Sequence, residues 1–283
     1  MNGRAAALGA GTVLNALATG VGSAFAIDAE TRATVELDGS DGVTGEIDGA
    51  PDADTRLIER CVELVVAEYG DGEGGHVRTE SDLPMAAGLK SSSAAANATV
   101  LATLSALDVE DALDRADACR LGVQAARDAG VTATGAFDDA SASMLGGVTV
   151  TDNSTDDLLS REQVDWDVLV WTPPEQAFSA DADVDRCKQV APMAHLVADL
   201  ALDGRYGEAM TVNGLAFSAA LDFPTDPAVE AMPHVDGVSL SGTGPSVVAV
   251  GERANLEDLQ DRWSERDGTT RLTTTRNDGA RIL

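Results

Sequence analysis

The residues with the clearest chemical promise lie in the run Asp82-Leu83-Pro84-Met85-Ala86-Ala87-Gly88-Leu89-Lys90-Ser91-Ser92-Ser93-Ala94-Ala95-Ala96-Asn97. Pro84 and Gly88 punctuate a loop, and three serines open an Ala-rich helix. Serine is a favoured N-cap, and the exposed N–H groups of a first helical turn form an anion site. Lys90 adds an ammonium group, and the chain has only one other lysine, Lys188. A single serine there would mean an ordinary capped helix. Three serines, a glycine and a scarce lysine predict a phosphate loop. It is not a Walker A loop, because Leu89 stands where that motif needs a glycine directly before the lysine. A second candidate is Gly135-Ala136-Phe137-Asp138-Asp139, followed by Gly146-Gly147. Aspartate is so abundant here that any one is by default a solvated surface group. Here the flanking glycines and the short helix between them mark the segment, with its two adjacent aspartates, as a candidate.

Two glycine-rich stretches complete the set. Gly9-Ala10-Gly11-Thr12-Val13-Leu14-Asn15-Ala16 is no dinucleotide fingerprint, because the third glycine would fall at Leu14. Ser241-Gly242-Thr243-Gly244-Pro245-Ser246, taken alone, is a hairpin turn.

Taken together and in this order, these segments resemble the galactokinase, homoserine kinase, mevalonate kinase and phosphomevalonate kinase (GHMP) superfamily. The Pro-x-x-x-Gly-Leu-x-Ser-Ser pattern is similar to its second signature. The form Gly88-Leu89-Lys90-Ser91-Ser92-Ser93, with lysine where most members have glycine, resembles the archaeal shikimate kinase branch. So does a first motif without the usual Gly-Glu-His tail. The resemblance spans nearly the whole chain. It implies a two-domain α+β fold, with an N-terminal ribosomal-protein-S5-like domain over 1–155 and a ferredoxin-like domain over 156–283. It also implies ATP and Mg²⁺, with Pro84–Ala94 on the nucleotide, Lys90 neutralising phosphate charge and Asp138 accepting the proton of the attacking hydroxyl. Ser92 or Ser93 is implied as a metal ligand, and Gly242, Thr243 and Gly244 as a supporting turn. The substrate implied is shikimate, phosphorylated on its 3-hydroxyl. Its carboxylate calls for an arginine, with Arg127, Arg186 and Arg4 as candidates. Homoserine or mevalonate kinase activity is the rival within the superfamily, and a non-catalytic nucleotide sensor the rival outside it.

The elements that must hold these residues are readable from periodicity. Residues 5–14 predict a strand and 24–37 a second, with 43–47 pairing to it after the Asp38-Gly39 turn. Residues 52–69, 91–107, 111–129 and 138–145 predict helices, with strands at 76–80 and 148–151. The polar stretch 152–163 reads as the domain boundary. Beyond it the pattern predicts strands at 167–171, 235–240, 247–251 and 269–275. Two or three helices fall over 181–221 and another over 256–266. Strands and helices interleave without βαβ regularity, which favours α+β.

Composition bounds the rest. The 283 residues include 48 Asp and Glu against 19 Lys and Arg, a formal net charge of −29. Such a chain repels nucleic-acid backbones and anionic membrane surfaces. The expected partner is therefore a small molecule, and the protein a monomer or small homo-oligomer. Cys61, Cys119 and Cys187 are odd in number and far apart, so free thiols are expected rather than a disulfide framework. Ala24-Phe25-Ala26 imitates a signal-peptidase site, but Gly9, Gly11, Gly20 and Gly22 interrupt any apolar run before it. A cytoplasmic protein is expected.

The charge excess itself generates a prediction. The Debye length is about 30 Å at about 0.01 M salt and about 3 Å at about 1 M. Self-repulsion therefore opens the fold in dilute buffer and is screened in molar salt. The thermal midpoint should rise steeply between these conditions in a calorimetric scan; an unchanged midpoint would count against it.

Overall fold

The computed structural model describes residues 1–132, 135–177 and 182–283. A first sheet is built on two long strands, β1 (Asn2–Leu14) and β2 (Val21–Leu37), paired antiparallel along their length. Its remaining strands are β3 (Val43–Ile47), β4 (Gly75–Ser81), β5 (Val148–Asp152), β6 (Asp157–Glu162) and the C-terminal β11 (Arg281–Ile282). A second, antiparallel sheet has the order β10-β7-β9-β8, from β7 (Asp167–Thr172), β8 (Gly237–Leu240), β9 (Val247–Gly251) and β10 (Thr269–Thr274).

Four helices accompany the first sheet: α1 (Arg56–Tyr69), α2 (Ser91–Ala106), α3 (Arg115–Asp128) and α4 (Phe137–Leu145). Alanine-rich α2 is buried almost all round, because its small side chains let the backbone of β1 approach closely. It runs through the main core, which includes its Leu101 and Leu104 together with Phe25, Ile27 and Val65. Later come α5 (Val184–Lys188), α6 (Ala191–Leu202), α7 (Tyr206–Leu221), α8 (Asp226–Ala231) and α9 (Arg253–Trp263). Leu256, Leu259 and Trp263 of α9 close a smaller core on the second sheet. Among the described residues no helix is long and apolar enough to cross a membrane. All three cysteines are free and buried.

Several expectations from the sequence change. β3 does not pair with β2. Both edges of β2 are taken, by β1 on one side and by β4 and β5 on the other, so β3 adds outside β4 in parallel. The polar stretch expected as a boundary carries β6, which forms a hairpin with β5 on the first sheet. That hairpin ends at Glu162, and the first strand of the second sheet begins at Asp167. α3 begins at Arg115, because the Asp114 carboxylate accepts the Asp117 N–H at 2.8 Å and caps it there. β10 is not the last strand, since β11 returns to pair with β1.

The returning terminus is fastened by charge. Glu30 of β2 is buried and accepts from Arg32 at 3.2 Å and from both terminal nitrogens of Arg281, with Arg276 at 3.7 Å. The Arg281 hydrogen bond is the main reason its carboxyl lies below the ordinary value of 4.5, with burial opposing. A lowered acid stabilises the fold above its unfolded value, and that contribution is lost as pH falls through the folded one. The arginines are partly exposed, so the effect is screened. Glu30→Gln should cost about 1–2 kcal/mol at pH 7, read by denaturant unfolding. The difference from wild type should shrink below about pH 4.

Candidate active site

Three glycine-rich segments, far apart in the chain, meet at the N-terminus of α2. The loop 84–90 reaches the helix through Ala86, Gly88 and Lys90, all at positive φ. Gly88 has no substitute: a Cβ there would lie 2.1 Å from the Ser241 carbonyl oxygen. The loop rests on the 241–246 turn. Ser241 Oγ donates to the Gly88 carbonyl at 2.8 Å, and the Ser246 N–H donates to that of Ala87 at 3.3 Å. The first segment closes the other side. Gly242 N–H donates to Thr12 Oγ1 at 2.7 Å, Asn15 Nδ2 donates to the Gly242 carbonyl at 2.8 Å, and Asn213 Oδ1 accepts the Asn15 N–H at 2.9 Å.

The helix start differs from expectation. Its N-cap is Lys90, left-handed at φ 65°, and no side chain caps the turn. Ser91, Ser92 and Ser93 are the first three helical residues. The first helical bond runs from Ala94 N–H to the Lys90 carbonyl at 3.0 Å, so the N–H groups of the serines have no helical acceptor. Such a turn favours an anion.

Lys90 is not a free cation on that turn. It is 9% exposed, and Nζ lies 2.7 Å from Asp139 Oδ1. Asp139 was expected only as a neighbour of Asp138. Asp138 is 5% exposed and points elsewhere: Asn153 Nδ2 donates to its Oδ1 at 2.7 Å, and Asn153 Oδ1 accepts its backbone N–H at 3.0 Å. Its Oδ2 fills the space left by Gly22, where a Cβ would come within 2.4 Å. Burial, and next the Asp139 charge, push the Asp138 carboxyl up to about 7, against the pull of Lys90 and of the Asn153 bond.

These groups line one cleft. Its polar end carries Asn15, Lys90, Ser92, Ser93, Asp138, Asp139, Gly242 and Thr243; its apolar wall includes Leu57, Val123, Ala126 and Val131. Gly244 lies in the supporting turn, packed on the Phe223 ring rather than on the cleft. Pro84 and Met85 are exposed on the outer side of the loop. No arginine lines the cleft among the described residues. Arg4 is exposed on β1, and Arg186 on α5 donates to the Ala219 carbonyl at 3.0 Å. Arg127 lies behind Gly135 and pairs with Asp156 at 2.7 Å. Among the described residues no three His, Cys, Asp or Glu side chains form a metal-holding group.

Sequence reasoning missed Asn153, which sits in the polar stretch read as a boundary. Its only local signal is the turn-forming Asp152-Asn153-Ser154. The Lys90–Asp139 pairing has no local signal, since 49 residues of chain separate the partners.

Residues 56–147 match the GHMP kinases N terminal domain family. The chain is 68% identical to the shikimate kinase of Halobacterium salinarum over 282 residues, covering 99% of each. It is 49% identical to that of Methanosarcina mazei over 284 residues, covering 99% of this chain and 96% of the relative. Among solved structures, a homoserine kinase from Cytophaga hutchinsonii superposes with a TM-score of 0.77 at 15% identity, over 100% of this chain and 97% of that one. The Methanococcus jannaschii mevalonate kinase gives 0.76 at 13%, over 98% of each. At those identities the likeness is one of fold.

The raised Asp138 pKa has a stability consequence. Below about pH 3.8 the carboxyl is protonated folded or unfolded and contributes nothing. Between there and about 7 the unfolded chain ionises while the folded one resists, so stability is lost as pH rises. Asp138→Asn removes that loss and retains an acceptor for Asn153. Its thermal midpoint should exceed that of wild type at pH 8 and converge with it near pH 4. A midpoint below wild type at pH 8 would mean that the carboxylate is not strained in the fold.

Proposed function

The chain belongs to the shikimate kinase family of the GHMP type, and from that premise we propose that it transfers the γ-phosphoryl group of ATP to the 3-hydroxyl of shikimate. The observation that carries this reading is the pairing of a buried, basic carboxylate with an anion-seeking helix turn in one cleft. The open N–H groups of Ser91–Ser93 receive the nucleotide phosphates, with the loop 84–90 folded around them. The Ser92 or Ser93 hydroxyl would hold Mg²⁺, which when bound would neutralise phosphate charge.

Asp138 is the base in this reading, because Asp139 takes the cation and Asp138 the neutral donor. Asp139 is neutralised by Lys90, whereas burial raises the proton affinity of Asp138 to about 7. A base of that strength is matched to neutral pH. In the transfer, the substrate hydroxyl oxygen forms the new bond to phosphorus, its proton passes to Asp138, and the bond from phosphorus to the β–γ bridging oxygen breaks to release ADP. The transition state is loose, so orientation and charge stabilisation carry more of the rate than proton removal. The rival substrates gain no support, because the homoserine and mevalonate kinases share only the fold at 13–15% identity. The acidic surface favours a cytoplasmic enzyme, monomeric or a small homo-oligomer, that binds neither nucleic acid nor membrane.

A coupled ADP-release assay in molar salt, offered shikimate, homoserine, mevalonate and galactose, should respond to shikimate alone. A faster response to another acceptor would overturn the substrate. In single turnover at saturating ATP, Asp138→Asn should slow transfer about 10²- to 10³-fold and keep nucleotide affinity. Asp139→Asn should cost less. It should also move the acidic limb of the pH–rate profile downward, because it removes the like charge that raises the base. The reverse ranking would assign the base to Asp139.

A further inference from the structure

We propose that Asn153 is a positioning residue for the transfer: its amide clamps Asp138 so that Oδ2 alone is left to take the hydroxyl proton. The inference rests on the reading of Asp138 as the base.

Asn153 follows the last residue of β5 and is 3% exposed. It bonds the same aspartate twice, accepting its backbone N–H at 3.0 Å and donating to its Oδ1 at 2.7 Å. The amide orientation is fixed by chemistry. The Asp138 N–H can only donate, so the amide oxygen must face it, and the amide nitrogen then faces the carboxylate. Thr151 Oγ1 locks that orientation by donating to the same amide oxygen at 2.9 Å. The backbone of Asn153 is held as well. Its N–H donates to the Gly20 carbonyl at 2.9 Å, and its carbonyl accepts from Arg127 at 3.4 Å. The clamp is thus tied to the turn before β2, to β5 and to α3 before it touches the base.

Oδ1 is occupied by this donor, and Oδ2 packs against Gly22, whose missing side chain leaves it room. The aspartate is therefore held from both sides, with one oxygen committed. The charged groups facing it are Asp139 on its own helix and Lys90 at the start of α2. Behind Asn153 stand Arg127 and Asp156, paired with each other at 2.7 Å. β2 and β5 present uncharged Gly22, Thr149 and Thr151 at this point. The Asn153 N–H is thus the uncharged side-chain donor that supports the ionised form against burial and Asp139.

A residue that only capped α4 through the Asp138 N–H would serve as well if it carried an acceptor alone. Asn153→Asp makes that distinction, because it keeps the acceptor, removes the donor and adds a like charge. Single-turnover transfer of phosphate to shikimate is measured from pH 5.5 to 9.5 in molar salt, with thermal midpoints alongside. The expected result is an acidic limb raised by about one pH unit or more, with rates at pH 7 about 10- to 100-fold below wild type and partial recovery at high pH. Asn153→Ala, which loses donor and acceptor, should raise the limb less and lower the midpoint, and it stands in if Asn153→Asp does not fold. A lowered midpoint with an unmoved limb in the folded variant would reduce Asn153 to a structural cap and overturn the proposal. Should Asp138→Asn itself transfer at the wild-type rate, the reading of Asp138 fails, and that outcome is distinct from a failure at Asn153.

Discussion

Two carboxylates on consecutive residues must share a nearly dry site with one ammonium group. Asp138 and Asp139 open α4, and Lys90 opens α2. Consecutive helical side chains diverge by about 100°, so the two acids can be given separate partners. Asp139 takes Lys90, and Asp138 takes Asn153. If both faced Lys90, neither would be a strong base. If neither did, two adjacent charges would repel in a medium that barely screens them. The arrangement gives one acid to the cation and leaves the other with a neutral donor.

The rest of the architecture holds these two helix starts against each other. α2 is fixed by close packing of small residues on β1, and its loop by hydrogen bonds to the 241–246 turn. α4 is fixed by Asn97, whose Nδ2 donates to the Ala140 carbonyl at 2.9 Å, and by Ser141 on Thr149 at 2.8 Å. The two bonds on α4 are buried and the Ser241 bond is partly so; a buried partner left unmade would cost about 1–3 kcal/mol. The polar groups around the cleft therefore tolerate few alternative arrangements, which is the preorganisation a loose transition state requires.

What the sequence made legible follows from the range of each interaction. The loop, the Ala-rich helix and the short helix after Gly135 are local patterns, and the structure forms all of them. The identity of the cap at α2 was misread because serine's preference is a tendency, whereas a left-handed Lys90 follows from the turn that brings its ammonium to Asp139. The position of β3 was misread because pairing depends on which edges of β2 are already taken. Asn153 and the Glu30 cluster were invisible for a similar reason. Arg276 and Arg281 reach Glu30 across some 250 residues of chain, and nothing near Glu30 announces them.

The same reasoning explains why a chain whose other cations are almost all arginine keeps a lysine here. The ammonium of Lys90 lies against Gly242, so close that a Cβ on that glycine would sit 2.7 Å from Nζ. Gly242 is in turn bonded through both its N–H and its carbonyl to the first glycine-rich segment, so that wall cannot retreat. A guanidinium is planar and wider, with donors in a fixed fork. It would have to displace the turn or turn away from Asp139, and turning away would leave that half-buried carboxylate without its partner. A compact point charge meets the space and the chemistry together. On the outer surface neither limit applies, and there the bidentate grip of arginine on carboxylates, as at Arg56 with both oxygens of Asp54, suits a surface crowded with acids.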